Sequence, residues 1–142
     1  MTTSRSEAGT EVIRIVAALV MNADGESLLV RKRGTSTFMQ PGGKLLEGEE
    51  PLQALERELR EELGCGVTSS ELLGSYTAPA ANEPGATVEA QIFKVTLAGQ
   101  PCAQAEIDEA VWVDPDALDG LAIAPLSRTF VMPIARAMKA PA

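Results

Sequence analysis

Three glutamates lie on one face of a predicted helix and constrain this chain more than any other feature. Glu58, Glu61 and Glu62 belong to the segment RELREELG, residues 57–64. Spacings of three and four residues bring them together on a helix. Like charges repel there, and the helix dipole disfavours anions in the C-terminal turns. A bound divalent cation would reverse this repulsion, so the pattern predicts a metal site rather than a solvated face.

The same segment has the apolar stripe of an amphipathic helix that packs on a sheet. Four leucines form the stripe: Leu52, Leu55, Leu59 and Leu63. Pro51 suits the first helical position, and Gly64 suits a left-handed cap. These signals predict a helix over residues 51–63.

A glycine turn, QPGGK at residues 40–44, precedes this helix. Its two glycines let the backbone approach a ligand closely. Lys44 adds a cation for a phosphate group, and Glu49 and Arg57 are able to pair and fix how the turn joins the helix.

The spacing G-x5-E-x7-REL-x-EE-x-GC over residues 43–65 resembles the Nudix box. Cys65 is the one departure, because the family usually has an aliphatic residue there; a buried cysteine behaves as a small hydrophobe. The preceding Pro41-Gly42 and the later segment EIDEAVWV, residues 106–113, are also similar to the family. The resemblance covers most of the chain. It implies an α/β fold in which a mixed β-sheet is sandwiched between α-helices.

The resemblance implies a Mg²⁺-dependent hydrolase that cleaves a diphosphate linkage in a nucleoside diphosphate derivative. A nucleoside triphosphate or oxidised nucleotide competes as substrate with a nucleotide sugar such as ADP-ribose. A catalytically silent, nucleotide-sensing domain is the alternative, although such domains usually lose box glutamates that this chain keeps. A purely structural acidic domain is a third reading.

The resemblance also assigns roles to single residues. It makes Glu58 and Glu62 direct metal ligands together with the Gly43 carbonyl. Glu61 completes the metal site or acts through water, and we favour it narrowly over Glu58 as the general base. Arg57 orients the loop with Glu49.

The family often uses an acidic residue outside the box. Glu106 is the first candidate for that metal ligand, and Glu89 and Glu83 follow it. Carboxylate and carbonyl oxygens suit a hard cation, so Mg²⁺ is the predicted metal and Mn²⁺ the second choice.

The predicted substrate contacts are Lys44, Arg31, Arg33 and Phe38. The basic run Arg31-Lys32-Arg33 either steers phosphate or is a strand end reaching into water. Phe38 either stacks on a base or packs in the core.

Composition excludes several classes of protein. The net charge of −8 argues against a nucleic acid polymer as partner, whereas a small nucleotide needs only local cations. The absence of histidine removes His-based acid–base catalysis, the Ser-His-Asp triad and His-ligated zinc. Two cysteines make neither a zinc site nor a disulfide framework, and we expect Cys65 to be buried.

Residues 1–9 read as a flexible tail and residues 10–142 as one domain. Strands are predicted at 11–20, 27–31, 71–77, 87–97 and 106–113, a short helix at 114–120, and a final helix from Pro125 that Pro133 kinks or shifts. The longest apolar run, residues 15–21, is too short to cross a membrane, and no secretory signal is visible. The sequence therefore predicts a cytoplasmic protein, monomer or homodimer, without a membrane partner.

Overall fold

The computed structural model describes residues 11–139 as seven strands and two α-helices, with a π-helical turn leading into the second helix. The elements are β1 Glu11–Leu19, β2 Ser27–Lys32, β3 Phe38–Met39, β4 Gly42–Lys44, α1 Pro51–Leu63, β5 Gly66–Pro79, β6 Ala86–Ala98, β7 Ile107–Val113, the π-helical turn Ser127–Val131 and α2 Met132–Lys139. The predicted tail at residues 1–9 lies outside the described residues. No helix within residues 11–139 is long and apolar enough to cross a membrane.

The strands form two sheets. The first has the order β4-β1-β6-β5 and is mixed, because β1 pairs in parallel with β6 and the other pairs are antiparallel. The second, β3-β2-β7, is antiparallel. Helices cover both faces of this arrangement, so the predicted α/β fold is confirmed.

Strand β1 joins two hydrophobic cores. Successive side chains of a strand point to opposite faces, and Val16 and Ala18 accordingly pack in the core under α1. Ala17 and Leu19 pack in the second core, with Met132 and other residues of the C-terminal helical segment. The strand is therefore buried on both faces where it passes between the helices.

Helix α1 has the predicted bounds. The Glu50 N–H donates to Gln53 Oε1 over 3.1 Å at the N-terminal end. Gly64 adopts a left-handed φ of 70° and donates its N–H to the Arg60 carbonyl at the C-terminal end. Local capping and the leucine stripe thus fix this element, as the sequence indicates.

The C-terminal third differs from the sequence prediction in two ways. The short helix predicted at 114–120 is wrong, because that stretch forms turns. The last helix does open at Pro125, but its second turn is π-helical, with the Met132 N–H bonded to the Ser127 carbonyl. This wider turn directly precedes Pro133, whose ring would clash with a carbonyl in a regular α-helix.

Two strand segments also differ from the prediction, one in the glycine turn and one after α1. Residues 42–44 form β4, which pairs with β1 at Val16↔Gly43. Strand β5 begins at Gly66 because it pairs with β6 along nearly its whole length. Pairing with a neighbour, rather than strand propensity, creates both segments.

Candidate active site

The glycine turn lies directly against the carboxylate face of α1. A Cβ atom on Gly43 would come within 2.3 Å of Glu58 Cδ, and one on Gly42 within 2.1 Å of the Val16 carbonyl oxygen. The Gly42 N–H donates to Glu62 Oε1 over 3.1 Å. Only glycine permits these distances, so the turn brings Glu58 and Glu62 against the backbone of β4.

Arg57 ties the loop to the helix, as the sequence predicts. Its guanidinium binds both carboxylate oxygens of Glu49 at 2.9 Å. It also donates to Glu58 Oε2 at 2.7 Å and to the Lys44 carbonyl at 3.1 Å. These bonds keep the pKa of Glu49 below its usual value and raise the pKa of Arg57. The arginine therefore fixes the loop and one predicted metal ligand together.

Glu62 is a buried carboxylate without a cation in hydrogen-bonding contact among residues 11–139. Its relative exposure is 7%, and burial raises its pKa to about 8. The bond from Gly42 lowers that pKa, Glu58 raises it, Lys32 lowers it and Glu61 raises it, in decreasing order. The ionised form of Glu62 is therefore destabilised beside two further carboxylates.

A cleft opens beside the glycine turn. Its cavity volume is about 150 Å³, and it lies between β1, β4, the 79–83 loop and the start of the last helix. Its wall is largely apolar, with Ile13, Ile15, Val88 and Leu126, and it carries two lysines, Lys32 and Lys44. This combination suits a flat ring at one end and phosphate groups near the carboxylates.

The donor set fits a hard divalent cation, and the buried Glu62 is the observation that supports it. Carboxylate oxygens are preferred ligands of Mg²⁺, and a cation would offset the charge of Glu62. Among residues 11–139, no three acidic or thiol side chains are gathered closely enough to form a ready-made site. A metal ion would therefore compete with Arg57 for Glu58.

The remaining predicted metal ligands are exposed side chains outside the buried contact of Glu62 with the glycine turn. Glu61 is exposed on α1. Glu106 is exposed in the turn before β7, where its carbonyl accepts the Arg33 N–H. Glu89 pairs with Arg14 at 3.3 Å and does not line the cleft, whereas Glu83 does line it.

Two of the four predicted substrate residues are held away from the cleft. Arg31 binds Asp108 at 2.6 Å and Glu109 at 2.8 Å across to β7. Phe38 packs against the second core, which favours the packing role over stacking on a base. Arg33 is exposed and Lys44 lies on the cleft wall.

Sequence reasoning missed two residues on the cleft wall. Lys32 lines the cleft where Arg31 was proposed, because neighbours in a strand face opposite sides. Gln40 also lines it, although its sequence position in the turn gave no signal beyond its polarity.

Comparison with known proteins defines the class. The NUDIX domain model matches residues 12–132. The chain therefore belongs to the NUDIX domain family.

Its relatives narrow the class further. The chain is 32% identical over 114 residues to an 8-oxo-dGTP diphosphatase of Haemophilus influenzae, spanning 77% of this chain and 81% of that protein. An RNA pyrophosphohydrolase of Halorhodospira halophila is 42% identical over 60 residues, 42% of this chain and 33% of that protein. The solution structure of the E. coli ORF135 protein superimposes with a TM-score of 0.67 at 28% identity, covering 92% and 90% of the two chains. The prediction of a Nudix-type hydrolase is confirmed.

Proposed function

We propose that the protein is a Mg²⁺-dependent hydrolase that cleaves a diphosphate linkage in a nucleoside triphosphate or in an oxidised form of one. The buried carboxylate of Glu62, held by the Gly42 N–H beside an apolar cleft, is the observation that carries the proposal. A buried carboxylate without a compensating cation costs folding free energy. A bound cation at this position would offset that cost.

Different residues bind the metal ion, bind the phosphates and activate the water. Glu58, Glu62 and the Gly43 carbonyl would hold the ion, which would neutralise phosphate charge and make the attacking water more acidic. Lys32 and Lys44, both on the cleft wall, meet the phosphates. Glu61 takes the proton from the attacking water. Its exposure supports this role, since Glu58 is held by Arg57 and Glu62 by Gly42.

The triphosphate substrate leads because a relative that is 32% identical and spans 77% of this chain is named as a diphosphatase of 8-oxo-dGTP. A nucleotide sugar such as ADP-ribose is the second candidate. An RNA 5′-end belongs in the test because of the shorter match to an RNA pyrophosphohydrolase. Glu106 as the additional ligand, Mn²⁺ as substitute metal, the single domain over 10–142 and the cytoplasmic location remain predictions.

The test is a substrate panel containing 8-oxo-dGTP, dGTP, CTP, ADP-ribose and a 5′-triphosphorylated RNA. Each is incubated with Mg²⁺, with Mn²⁺ or with EDTA, and pyrophosphate, phosphate and nucleotide products are quantified. We expect release of pyrophosphate from a triphosphate with Mg²⁺ and none with EDTA. Binding of a nucleotide without turnover of any member would instead establish the sensing alternative.

Variants assign the roles. Glu62→Gln and Glu61→Gln each remove one charge, and we expect kcat to fall at least about 100-fold in both. Glu71→Gln, exposed on β5, is the matched control and keeps wild-type turnover. Full activity in both box variants would overturn the assigned roles.

A pair of neighbouring cations tests the phosphate contact. Lys32→Met should raise KM about tenfold or more, since one charge-assisted hydrogen bond is worth about 1.5–3 kcal/mol. Arg31→Met is the control, because Arg31 is bound to Asp108 and Glu109. The reverse result would mean that the strand presents its other face to substrate.

A further inference from the structure

Gln40 carries an unpaired oxygen in a buried position. The residue is 5% exposed. Its Nε2 donates to the Ala18 carbonyl at 2.8 Å, and its backbone N–H donates to Ser127 Oγ at 3.2 Å. Its Oε1 has no hydrogen-bond partner within the described chain. Since a backbone carbonyl only accepts, the Nε2 bond identifies the unpaired atom as the amide oxygen, a hydrogen-bond acceptor.

Leaving such an oxygen unpaired costs folding free energy. One other buried side-chain atom of residues 11–139 is in the same condition, Ser27 Oγ on β2. Gln40 lies on the wall of the cleft, whereas Ser27 does not. A ligand that fills the cleft is therefore able to supply the missing donor to Gln40 alone.

The surroundings indicate the kind of donor. The cleft wall near Gln40 includes Ile13, Ile15, Val88 and Leu126, which suit the faces of a heterocyclic ring. A ring in this position gains from burying its apolar faces and must satisfy its polar edge. An edge that offers an N–H group matches a lone amide oxygen, and an edge that offers only carbonyl oxygens opposes it.

We propose that Gln40 selects nucleobases that carry an exocyclic amino group, with its Oε1 accepting a hydrogen bond from that amine. The inference rests on the proposed function, because it assigns the cleft to the base of the nucleotide. Adenine, cytosine and guanine qualify. Uracil and thymine do not, since their one edge N–H lies between two carbonyl oxygens that would face Oε1.

The experiment measures binding, so that it does not depend on turnover. Nucleoside monophosphates are titrated in pairs that differ at the amine: GMP with IMP, AMP with purine riboside 5′-monophosphate, and CMP with UMP. We expect wild type to bind the amino member at least about tenfold more tightly in one or more pairs, because a site built around a hydrogen bond rejects the analogue that lacks it.

The Gln40→Met variant keeps the length of the side chain and removes the oxygen. We expect the preference to fall to about threefold or less, chiefly through weaker binding of the amino member. Ser27→Ala removes the other unpaired atom and should keep the wild-type preference. Thermal melting verifies that each variant is folded. The wild-type titration carries the test in the case in which the methionine variant does not fold.

Two results would overturn the proposal: equal binding of both members of every pair by wild type, or an equal loss for both members in Gln40→Met. Amino-selective binding without hydrolysis of any nucleotide would defeat the proposed function and leave the role of Gln40 standing. Hydrolysis without amino selectivity would support the proposed function and overturn the role of Gln40.

Discussion

The buried carboxylate of Glu62 makes metal-free stability depend on pH in an unusual direction. Burial raises its pKa in the folded protein from 4.5 to about 8. Between these two values the folded state holds a proton that the unfolded state has released. The free energy of unfolding therefore falls as pH rises through this window and levels off above about pH 8.

The magnitude follows from the same two values. Each pKa unit corresponds to about 1.4 kcal/mol, so the full change is about 5 kcal/mol. For a domain of this size that lowers Tm by roughly 15 °C. Carboxylates paired with cations, such as Glu49, act at lower pH, because their pKa is lowered and their contribution is lost only as pH falls. Measurements above pH 5 therefore isolate Glu62.

The assay is thermal unfolding in EDTA between pH 5 and 9 for wild type, Glu62→Gln and the control Glu71→Gln. Gln at position 62 still accepts the Gly42 N–H but does not titrate. We expect it to remove most of the decline in Tm and to exceed wild type at pH 9. Glu71→Gln should follow wild type. A Glu62→Gln curve parallel to wild type would refute the reasoning.

Binding of Mg²⁺ should release the proton that Glu62 holds. At pH 7 most Glu62 side chains are protonated, so Mg²⁺ must displace close to one proton to reach the carboxylate. Calorimetry in buffers of different ionisation enthalpy measures this release. Glu62→Gln should release less, and identical values for both proteins would contradict the assignment of Glu62 as a ligand.

Three further predictions concern the site and its supports. Gly43→Ala puts a methyl group on the Glu58 carboxylate and should lower kcat/KM at least about 100-fold. The control Gly48→Ala has open space around it, so it should cost about 1 kcal/mol of stability and keep activity. Equal losses of activity in both variants would argue against the contact. Arg57→Lys keeps the charge but loses the two-pronged bond to Glu49, so kcat should fall about tenfold or more, and an unchanged kcat in steady-state assays would remove its orienting role. Lys139→Met breaks the ion pairs to Asp114 and Asp116. Because both acids are about half exposed, denaturant unfolding should show only a small loss of stability, and this loss should disappear in high salt.

Sequence patterns predict those parts of the fold whose causes are local. The prediction of helix α1 is correct at both ends because its signals, Pro51, the leucine stripe and Gly64, lie in the helix or directly after it. The link from Arg57 to Glu49 follows from the first two turns of the helix and the short loop before it. The glutamate face was predictable for the same reason, because helical spacing is local. The burial of Glu62 was not, because it depends on the sheet that packs against α1.

Features that depend on distant partners were not predictable from the sequence. The basic run at 31–33 does not reveal which side chain faces the cleft, because pairing with β7 sets that, through an irregularity between Arg31 and Lys32. Strand β4 consists largely of glycine, a poor strand former, and exists because β1 pairs with it. The unpaired oxygen of Gln40 likewise follows from how Ala18 and Ser127 surround it.

The alternation along β1 has a consequence for how the family can vary in length. Val16 and Ala18 serve one core while Ala17 and Leu19 serve the other. Losing or gaining a single residue at this point would exchange the occupants of both cores at once and shift the strand against β4 and β6. Length variation among related chains should therefore spare residues 16–19 and collect in exposed turns outside the cleft such as 119–120, where an added residue disturbs only a turn.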